Sequence, residues 1–102
     1  MLPIRYLTIH CAATPEGRDV KAKTVESWGV ARFGQLSYHG IIELDGTYVL
    51  GLPDNKRGAH VGGKNTGNIG ICYVGGMDKA MKRPKDTRTQ AQTATMLRVV
   101  NE

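Results

Sequence analysis

The sequence predicts an α/β fold in which helices flank a central mixed β-sheet. Three segments carry this prediction: a short apolar run bounded by glycines at Ile69–Val74, an alternating segment at Arg5–Cys11, and an apolar stripe within Lys21–Phe33. The first two are too short for helices and have strand composition, whereas the stripe recurs at helical spacing. We therefore expect strands near 5–11, 39–44, 47–50 and 69–74, and helices near 22–33 and 88–101, with the helices packed on the sheet.

The first predicted strand has two different faces. Leu7, Ile9 and Cys11 share an apolar face, and the polar side chains between them share the other. His10 lies on the polar face at the C-terminal end, where Ala12-Ala13-Thr14-Pro15 turns the chain away. We expect this polar face to be the functional one.

The segment Arg57–Asn68 is rich in Gly, Asn and Lys and contains His60 and Asn65. Glycine and asparagine favour turns, so this segment predicts an irregular loop. It leads directly into the buried strand at Ile69–Val74. A polar loop that feeds a buried strand places side chains at the rim of a cleft.

The predicted helices and hairpin have local signals at their ends. Gly34 is placed to end the first helix, and Asp45-Gly46 between two β-rich runs predicts a type I′ hairpin turn. Thr87 followed by Gln90 matches a capping box at the start of the last helix. Met77–Asp86 between them reads as a basic, irregular loop. The last helix reaches Glu102 without a terminator, which suggests a truncated reading frame.

Composition limits the class of protein. A chain of 102 residues with a net charge of +5 predicts a single domain, and the charge indicates either solubility or an anionic partner. No apolar run approaches the roughly 20 residues that span a bilayer. The N-terminus lacks a basic region before an apolar core, so we expect cytoplasmic synthesis without a signal peptide. Cys11 and Cys72 are expected to be reduced, buried thiols.

Three histidines and one tyrosine are the candidate residues for a functional site. His10, His39 and His60 stand at a strand end, a strand start and a loop, but a lone histidine is more often structural than catalytic. The sequence contains no HExxH, CxxC or Walker pattern. Tyr38 has two readings: a phenol that donates a hydrogen bond to a developing oxyanion, or an aromatic ring packed on the core.

Four segments together resemble the zinc-dependent N-acetylmuramoyl-L-alanine amidases of the phage-lysozyme type, whose fold is shared with peptidoglycan recognition proteins. In order, they are Ile9–Thr14, Leu36–Ile42 with the following Asp45-Gly46, Gly58–Asn65 and Asn68–Gly76. Each segment is a weak signal alone, but their order and combination cover nearly the whole chain.

The resemblance implies a peptidoglycan hydrolase that cleaves the amide between N-acetylmuramic acid and the L-alanine of the stem peptide. In this family a zinc ion held by three side chains activates the attacking water. By position, His10 matches a zinc ligand and Tyr38 the tyrosine that assists catalysis. His60 and Asn65 match positions that line the substrate groove. His39 matches a position that supports the site, and we group it with His60 and Asn65 as a substrate-binding candidate.

The sequence also departs from the family. The other two zinc ligands of the family lie beyond the last helix. We therefore expect the 102 residues to form a single amidase-like domain that lacks this C-terminal segment. Alone, this chain should retain no zinc and be inactive. The family usually has Trp-His where this chain has Trp28-Gly29, and an aromatic residue where it has Gly40.

Three further expectations concern partners. The alternative to an amidase is a non-catalytic module that binds peptidoglycan. A nucleic-acid partner is suggested by the charge and the basic loop, but only 6% of residues are aromatic and no recognition motif is present. A missing segment would leave an apolar face beside the last helix, which predicts self-association.

Overall fold

A four-stranded mixed sheet organises the computed structural model, which describes residues 6–53, 58 and 68–100. The elements are β1 (Tyr6–Cys11), β2 (Thr14–Pro15), α1 (Ala22–Phe33), β3 (Gly40–Ile42), β4 (Tyr48–Leu50), β5 (Asn68–Tyr73), β6 (Gly76–Met77) and α2 (Gln90–Val100). The sheet has the order β1-β5-β3-β4; β5 is parallel to β1 and β3, and β3 is antiparallel to β4. The predicted α/β class, mixed sheet and order of major elements are confirmed.

The two helices cover opposite faces of this sheet. On the α1 face, Ala22 and Val25 of the helix pack against Ile41 and Cys72. On the α2 face, Met96 packs against a cluster of isoleucines, which are Ile42, Ile69 and Ile71. Strand β5 is buried on both faces, as its unbroken apolar run predicts. Within the described residues, neither helix has the length and apolarity needed to cross a bilayer.

Helix α1 begins without a cap from its own N-cap residue. Lys21 provides no side-chain hydrogen bond at this end, and the Ala22 N–H instead donates to Glu43 Oε2 at 2.7 Å. Glu43 comes from the segment after β3, so a buried carboxylate of the sheet fixes the start of the helix. The predicted stop is confirmed: Gly34 has φ 74°, and its N–H donates to the Val30 carbonyl.

The β3–β4 connection differs from the predicted type I′ turn. The Gly46 N–H donates to the Glu43 carbonyl, and the Glu43 N–H donates to the Thr47 carbonyl, so three residues form the loop. Only Gly46 has a positive φ, at 90°. Leu44 belongs to the loop rather than the strand, and the arrangement is that of a type I turn closed by a glycine.

The start of α2 also differs from the prediction. Thr89 and Gln92 form the capping box: the Gln92 N–H donates to Thr89 Oγ1 at 3.0 Å, and the Thr89 N–H donates to Gln92 Oε1 at 2.9 Å. Thr87 is occupied elsewhere, since its hydroxyl oxygen accepts the Gly76 N–H at 2.8 Å. The helix therefore begins at Gln90, two residues later than expected.

The basic segment after β5 is more ordered than predicted. Strand β6 pairs with β2 in a second, two-stranded parallel sheet, and Met77 forms an antiparallel bridge with Pro84. Between them, Asp78 Oδ1 accepts the Lys82 N–H at 2.8 Å, and the Asp78 carbonyl accepts the Met81 N–H at 3.0 Å. A short closed turn, residues 78–84, therefore replaces the expected irregular loop.

Strand β1 lies at the edge of the sheet, and its apolar face is open. Leu7 and Ile9 are 42% and 41% exposed, and Leu97 of α2 is 61% exposed. The register aligns Leu7 and Ile9 with residues of the α2-face core, but α2 covers β5 and β3 rather than β1. The expectation of two buried thiols is correct for Cys72 and wrong for Cys11, which is exposed.

Candidate functional site

His10 reaches the candidate site from the C-terminal end of β1. The parallel register places it beside Cys72 of β5, on the α1 face of the sheet. Directly after it, the Ala12 N–H donates to the Tyr73 carbonyl at 2.9 Å, and Ala13 adopts φ 58°. The pairing with β5 thus fixes His10 where the chain turns away, and its side chain is half-buried.

Tyr38 approaches from the segment between α1 and β3. Its ring centroid lies 5.7 Å from that of His10, with a tilt of 52° between the ring planes. The ring also packs on the α1-face core beside Cys72. The structure therefore brings together the two residues expected to form the centre, and both readings of Tyr38, ring on the core and phenol near the site, describe parts of one arrangement.

Tyr38 packs beside Cys72 in the α1-face core. The Cys72 thiol lies 3.8 Å from the Tyr73 carbonyl, to which it donates. Burial is the main cause that raises the pKa of Tyr38 to about 12, and Cys72 adds to the increase. Burial likewise raises the pKa of Cys72 to about 12. Both groups are therefore neutral at physiological pH, and Tyr38 is a hydrogen-bond donor.

A small cavity of about 120 Å³ lies beside Tyr38, between it and α1. Gly29 forms part of its wall, and a Cβ atom at this position would lie 2.5 Å from Ser37 Oγ. Arg32 lines the same cavity, with its guanidinium 5.1 Å from the centre of the Phe33 ring. The glycine that replaces the histidine usual in the family therefore allows α1 to approach Ser37 closely.

His39 is buried rather than open to a ligand. It is 2% exposed, and its Nδ1 accepts a hydrogen bond of 3.0 Å from the Gly70 N–H. The backbone N–H of His39 donates to the Gly70 carbonyl at 2.8 Å. Where β3 meets β5, the imidazole Nδ1 thus takes the place of a backbone carbonyl as the acceptor of the Gly70 N–H. This geometry favours a supporting role for His39 and offers almost no surface for substrate contact.

The other predicted groove residues, His60 and Asn65, lie outside the described residues. In the described part of the chain, no three His, Cys, Asp or Glu side chains come together in a way that could hold a metal ion. His10 is the candidate ligand there, and Cys72 lies in the interior, as expected. These residues alone therefore do not make the three-ligand site of a catalytic zinc.

Sequence reasoning missed the contact between Tyr38 and Cys72. It depends on the parallel register that pairs Cys72 with His10 on one side and with Ile41 on the other. A hydrophobic pattern gives the face of a strand but not its neighbours, so no signal in the sequence could have found this contact.

Comparison with known proteins supports the family that the sequence resembles. The family model of N-acetylmuramoyl-L-alanine amidase matches residues 1–102. The endolysin of Enterobacteria phage K11 is 34% identical over 95 residues, which are 92% of this chain and 62% of that protein. The endolysin of Klebsiella phage KP32 is 36% identical over 85 residues, which are 82% of this chain and 56% of that protein. The chain thus spans somewhat more than half the length of these relatives.

The fold also has a counterpart among solved structures. The ectodomain complex of peptidoglycan recognition proteins LCa and LCx, bound to tracheal cytotoxin, matches with a TM-score of 0.64 and 24% identity. The match covers 98% of this chain and 63% of the other. With a family match along the whole sequence and this shared fold, the chain belongs to the N-acetylmuramoyl-L-alanine amidase family, whose members are zinc-dependent.

Proposed function

We propose that the chain forms most of a peptidoglycan amidase domain that cleaves the amide between N-acetylmuramic acid and L-alanine. The observation that carries the proposal is the pairing of His10 with Tyr38, at 5.7 Å between ring centroids, in a chain of this family. Its place of action is the cell wall, as the endolysin relatives suggest. The basic surface suits the anionic wall polymer.

Tyr38 acts in this proposal as a donor to the oxyanion that forms when water attacks the amide carbonyl. Its raised pKa keeps the phenol protonated, and a preorganised donor is worth most where water is excluded. The phenol is placed beside His10, so it can donate to the carbonyl oxygen of a substrate that enters there. Cys72 packs against Tyr38 and helps to hold its ring in place.

His10 is the zinc ligand that this chain contributes, and we place the remaining ligands in a segment beyond these 102 residues. His39 supports the site by holding β3 against β5 through Gly70. His60 and Asn65 stay predictions as groove residues.

The test compares the 102-residue chain with the same chain joined to the part of the phage K11 endolysin that the resemblance places after the last helix. We expect the short chain to hold no stoichiometric zinc and to show background hydrolysis of purified peptidoglycan. The extended chain should bind one zinc per molecule and release stem peptides. One tightly bound zinc in the short chain, or a zinc-loaded but inactive extended chain, would contradict the proposal.

Variants assign the roles within the extended chain. His10→Ala should remove both zinc and activity. Tyr38→Phe should keep zinc and lower the hydrolysis rate about 10²-fold, the usual effect of losing one oxyanion donor. Tyr73→Phe, on the opposite face of the sheet, is the matched control and should leave the rate unchanged.

A second candidate is a module that binds peptidoglycan without cleaving it. It is supported by the structural counterpart, a complex of recognition proteins with bound tracheal cytotoxin. Co-sedimentation with insoluble peptidoglycan separates the two: binding by the extended chain without hydrolysis, and unaffected by a chelator, would favour the module.

We also propose that the 102-residue chain self-associates through the open apolar face of Leu7, Ile9 and Leu97. These side chains are 42%, 41% and 61% exposed, on β1 and on α2. Among the described residues β1 ends the sheet and pairs on one side only, with β5, and strand edges of this kind pair readily with another chain.

A further inference from the structure

A second, larger cleft lies on the other side of Trp28 from Tyr38. Its volume is about 420 Å³, within the range of small-molecule sites. The segment from Ala13 to Lys21 forms one wall, α1 contributes Thr24 and Trp28, and Met81 from the turn at residues 78–84 completes it. Trp28 also lines the small cavity beside Tyr38, so it separates the cleft from the candidate centre.

The cleft presents two large apolar side chains to solvent. Trp28 is 48% exposed and Met81 is 47% exposed, and they come from elements far apart in the sequence. An indole ring and a thioether that line the same cleft suit a ligand with flat, CH-rich faces, because both groups bind such surfaces by dispersion. Saccharide rings have this character.

The backbone around the cleft is fixed in unusual conformations. In the described part of the chain, the non-glycine residues with positive φ are Ala13 and Met81, both at 58°, and both line the cleft. Such conformations cost free energy and gather at functional sites. Hydrogen bonds to Asp78 hold the turn that carries Met81, so the wall is formed in the absence of ligand.

One cation at the cleft is available for a ligand. Lys21 forms an ion pair with Asp19 at 3.0 Å, whereas the exposed Arg18 forms no ion pair with any described residue. A guanidinium binds carboxylate and phosphate groups through two parallel hydrogen bonds. The cleft therefore combines apolar stacking surfaces with one unpaired positive charge.

We propose that this cleft binds an anionic saccharide of the cell wall, with a sugar ring packed between Trp28 and Met81 and a carboxylate or phosphate on Arg18. The proposal rests on the proposed function for the identity of the polymer, and it adds a subsite beyond Trp28 to the centre at His10 and Tyr38. A strand that crosses Trp28 would occupy both, so the cleft would retain the polymer while the centre acts.

Trp28 is the single tryptophan of the chain, so its fluorescence reports directly on the cleft. Titration of the 102-residue chain with a soluble disaccharide-peptide from peptidoglycan tests the carboxylate source, and titration with a purified wall teichoic acid tests the phosphate source. We expect a saturable change in emission with at least one of them. No change with either probe at millimolar concentration would overturn the proposal.

Variants locate the binding. Arg18→Gln and Met81→Ala should each weaken binding about tenfold, as expected for loss of a charge-assisted hydrogen bond or a buried apolar contact. Arg98→Gln, an exposed change on α2, is the matched control and should bind like the parent chain. Equal binding by all three variants, each with an unchanged circular dichroism spectrum, would show that the probe binds elsewhere and would also overturn the proposal.

Hydrolysis and cleft binding are separate readouts. If the extended chain proves inactive while the emission change and its loss in Arg18→Gln persist, the proposed reaction fails and the saccharide site stands. If the extended chain cleaves peptidoglycan but the cleft variants bind and cleave normally, the reaction stands and the subsite is refuted.

Discussion

Gln92 joins α2 to the ends of two strands, and its replacement by methionine should be strongly destabilising. The side chain is fully buried. Its Nε2 donates to the Val74 carbonyl at 2.8 Å and, more weakly, to the Ile42 carbonyl at 3.4 Å, and its Oε1 accepts the Thr89 N–H. Methionine has a similar length but can make none of these hydrogen bonds.

The expected loss comes mainly from one carbonyl group. The Ile42 carbonyl keeps a second partner, the Val74 N–H at 2.9 Å, and the Thr89 N–H lies at the helix start, where water can reach it. The Val74 carbonyl is buried and accepts from no second group among the described residues, and an unsatisfied buried group costs about 1–3 kcal/mol. Loss of half of the capping box adds about 0.5–1 kcal/mol. We expect Gln92→Met to lower the free energy of unfolding by about 1.5–4 kcal/mol.

Urea unfolding measures this change, with helix content and Trp28 emission as two probes. For a chain of this size the slope is about 1–3 kcal/mol per molar urea, so the midpoint should fall by about 0.5 M or more. Gln90→Met, at the exposed first residue of α2, is the matched control and should shift the free energy by less than about 0.5 kcal/mol. A folded Gln92→Met variant within 1 kcal/mol of the parent would refute the reasoning.

Three other outcomes are expected. Glu43→Gln should lower the free energy of unfolding by about 1 kcal/mol in the same assay, because the carboxylate that accepts the first N–H of α1 loses its charge. Glu26→Gln, on the same helix, should have a smaller effect. Equal effects of the two changes would contradict this role of Glu43. Alkaline titration of tyrosine absorbance should contain a component near pH 12 that is absent in Tyr38→Phe. Because folding raises the pKa of Tyr38, its contribution to the free energy of unfolding is fully present below the ordinary tyrosine pKa of about 10 and is lost as the pH rises through about 12. A tyrosine titration of the parent chain that is complete near pH 10 would contradict this prediction. Ile9→Lys and Leu97→Lys should each reduce self-association in sedimentation velocity, whereas Val30→Lys on α1 should not, and a monomeric parent chain at high concentration would refute that interface.

The sequence predicted element types well because the patterns that specify them are local. The stripe of α1 and the apolar run of β5 each lie within one continuous segment. The start of α2 shows that a local pattern can match two positions and cannot choose between them. Thr87 with Gln90 and Thr89 with Gln92 match the same pattern, and only the tertiary contacts of Gly76 with Thr87, and of Val74 with Gln92, select the second.

The candidate site was predictable by residue type but not by arrangement. The resemblance pointed to His10 and Tyr38, and the structure places their rings together. The cleft beyond Trp28 could not be inferred, because Met81 reaches it through a turn held by Asp78 that has no recognisable signature. The sequence predicted an exposed apolar face beside the last helix but not one on β1, because alternation identifies an apolar face and not whether another element covers it.

The parallel pairing of β1 with β5 has a consequence for the order of folding during synthesis. The Thr8 hydroxyl donates to Asn68 Oδ1 across 60 positions of sequence, whereas β3 and β4 are joined by a tight turn. Closing a short loop costs less entropy than closing a long one, and contacts distant in sequence slow folding. The β3–β4 hairpin should therefore form before β1 pairs with β5, and β1, although made first, should remain without its neighbour until β5 has left the exit tunnel. The strand that carries His10 is thus expected to be among the last parts of the sheet to be fixed.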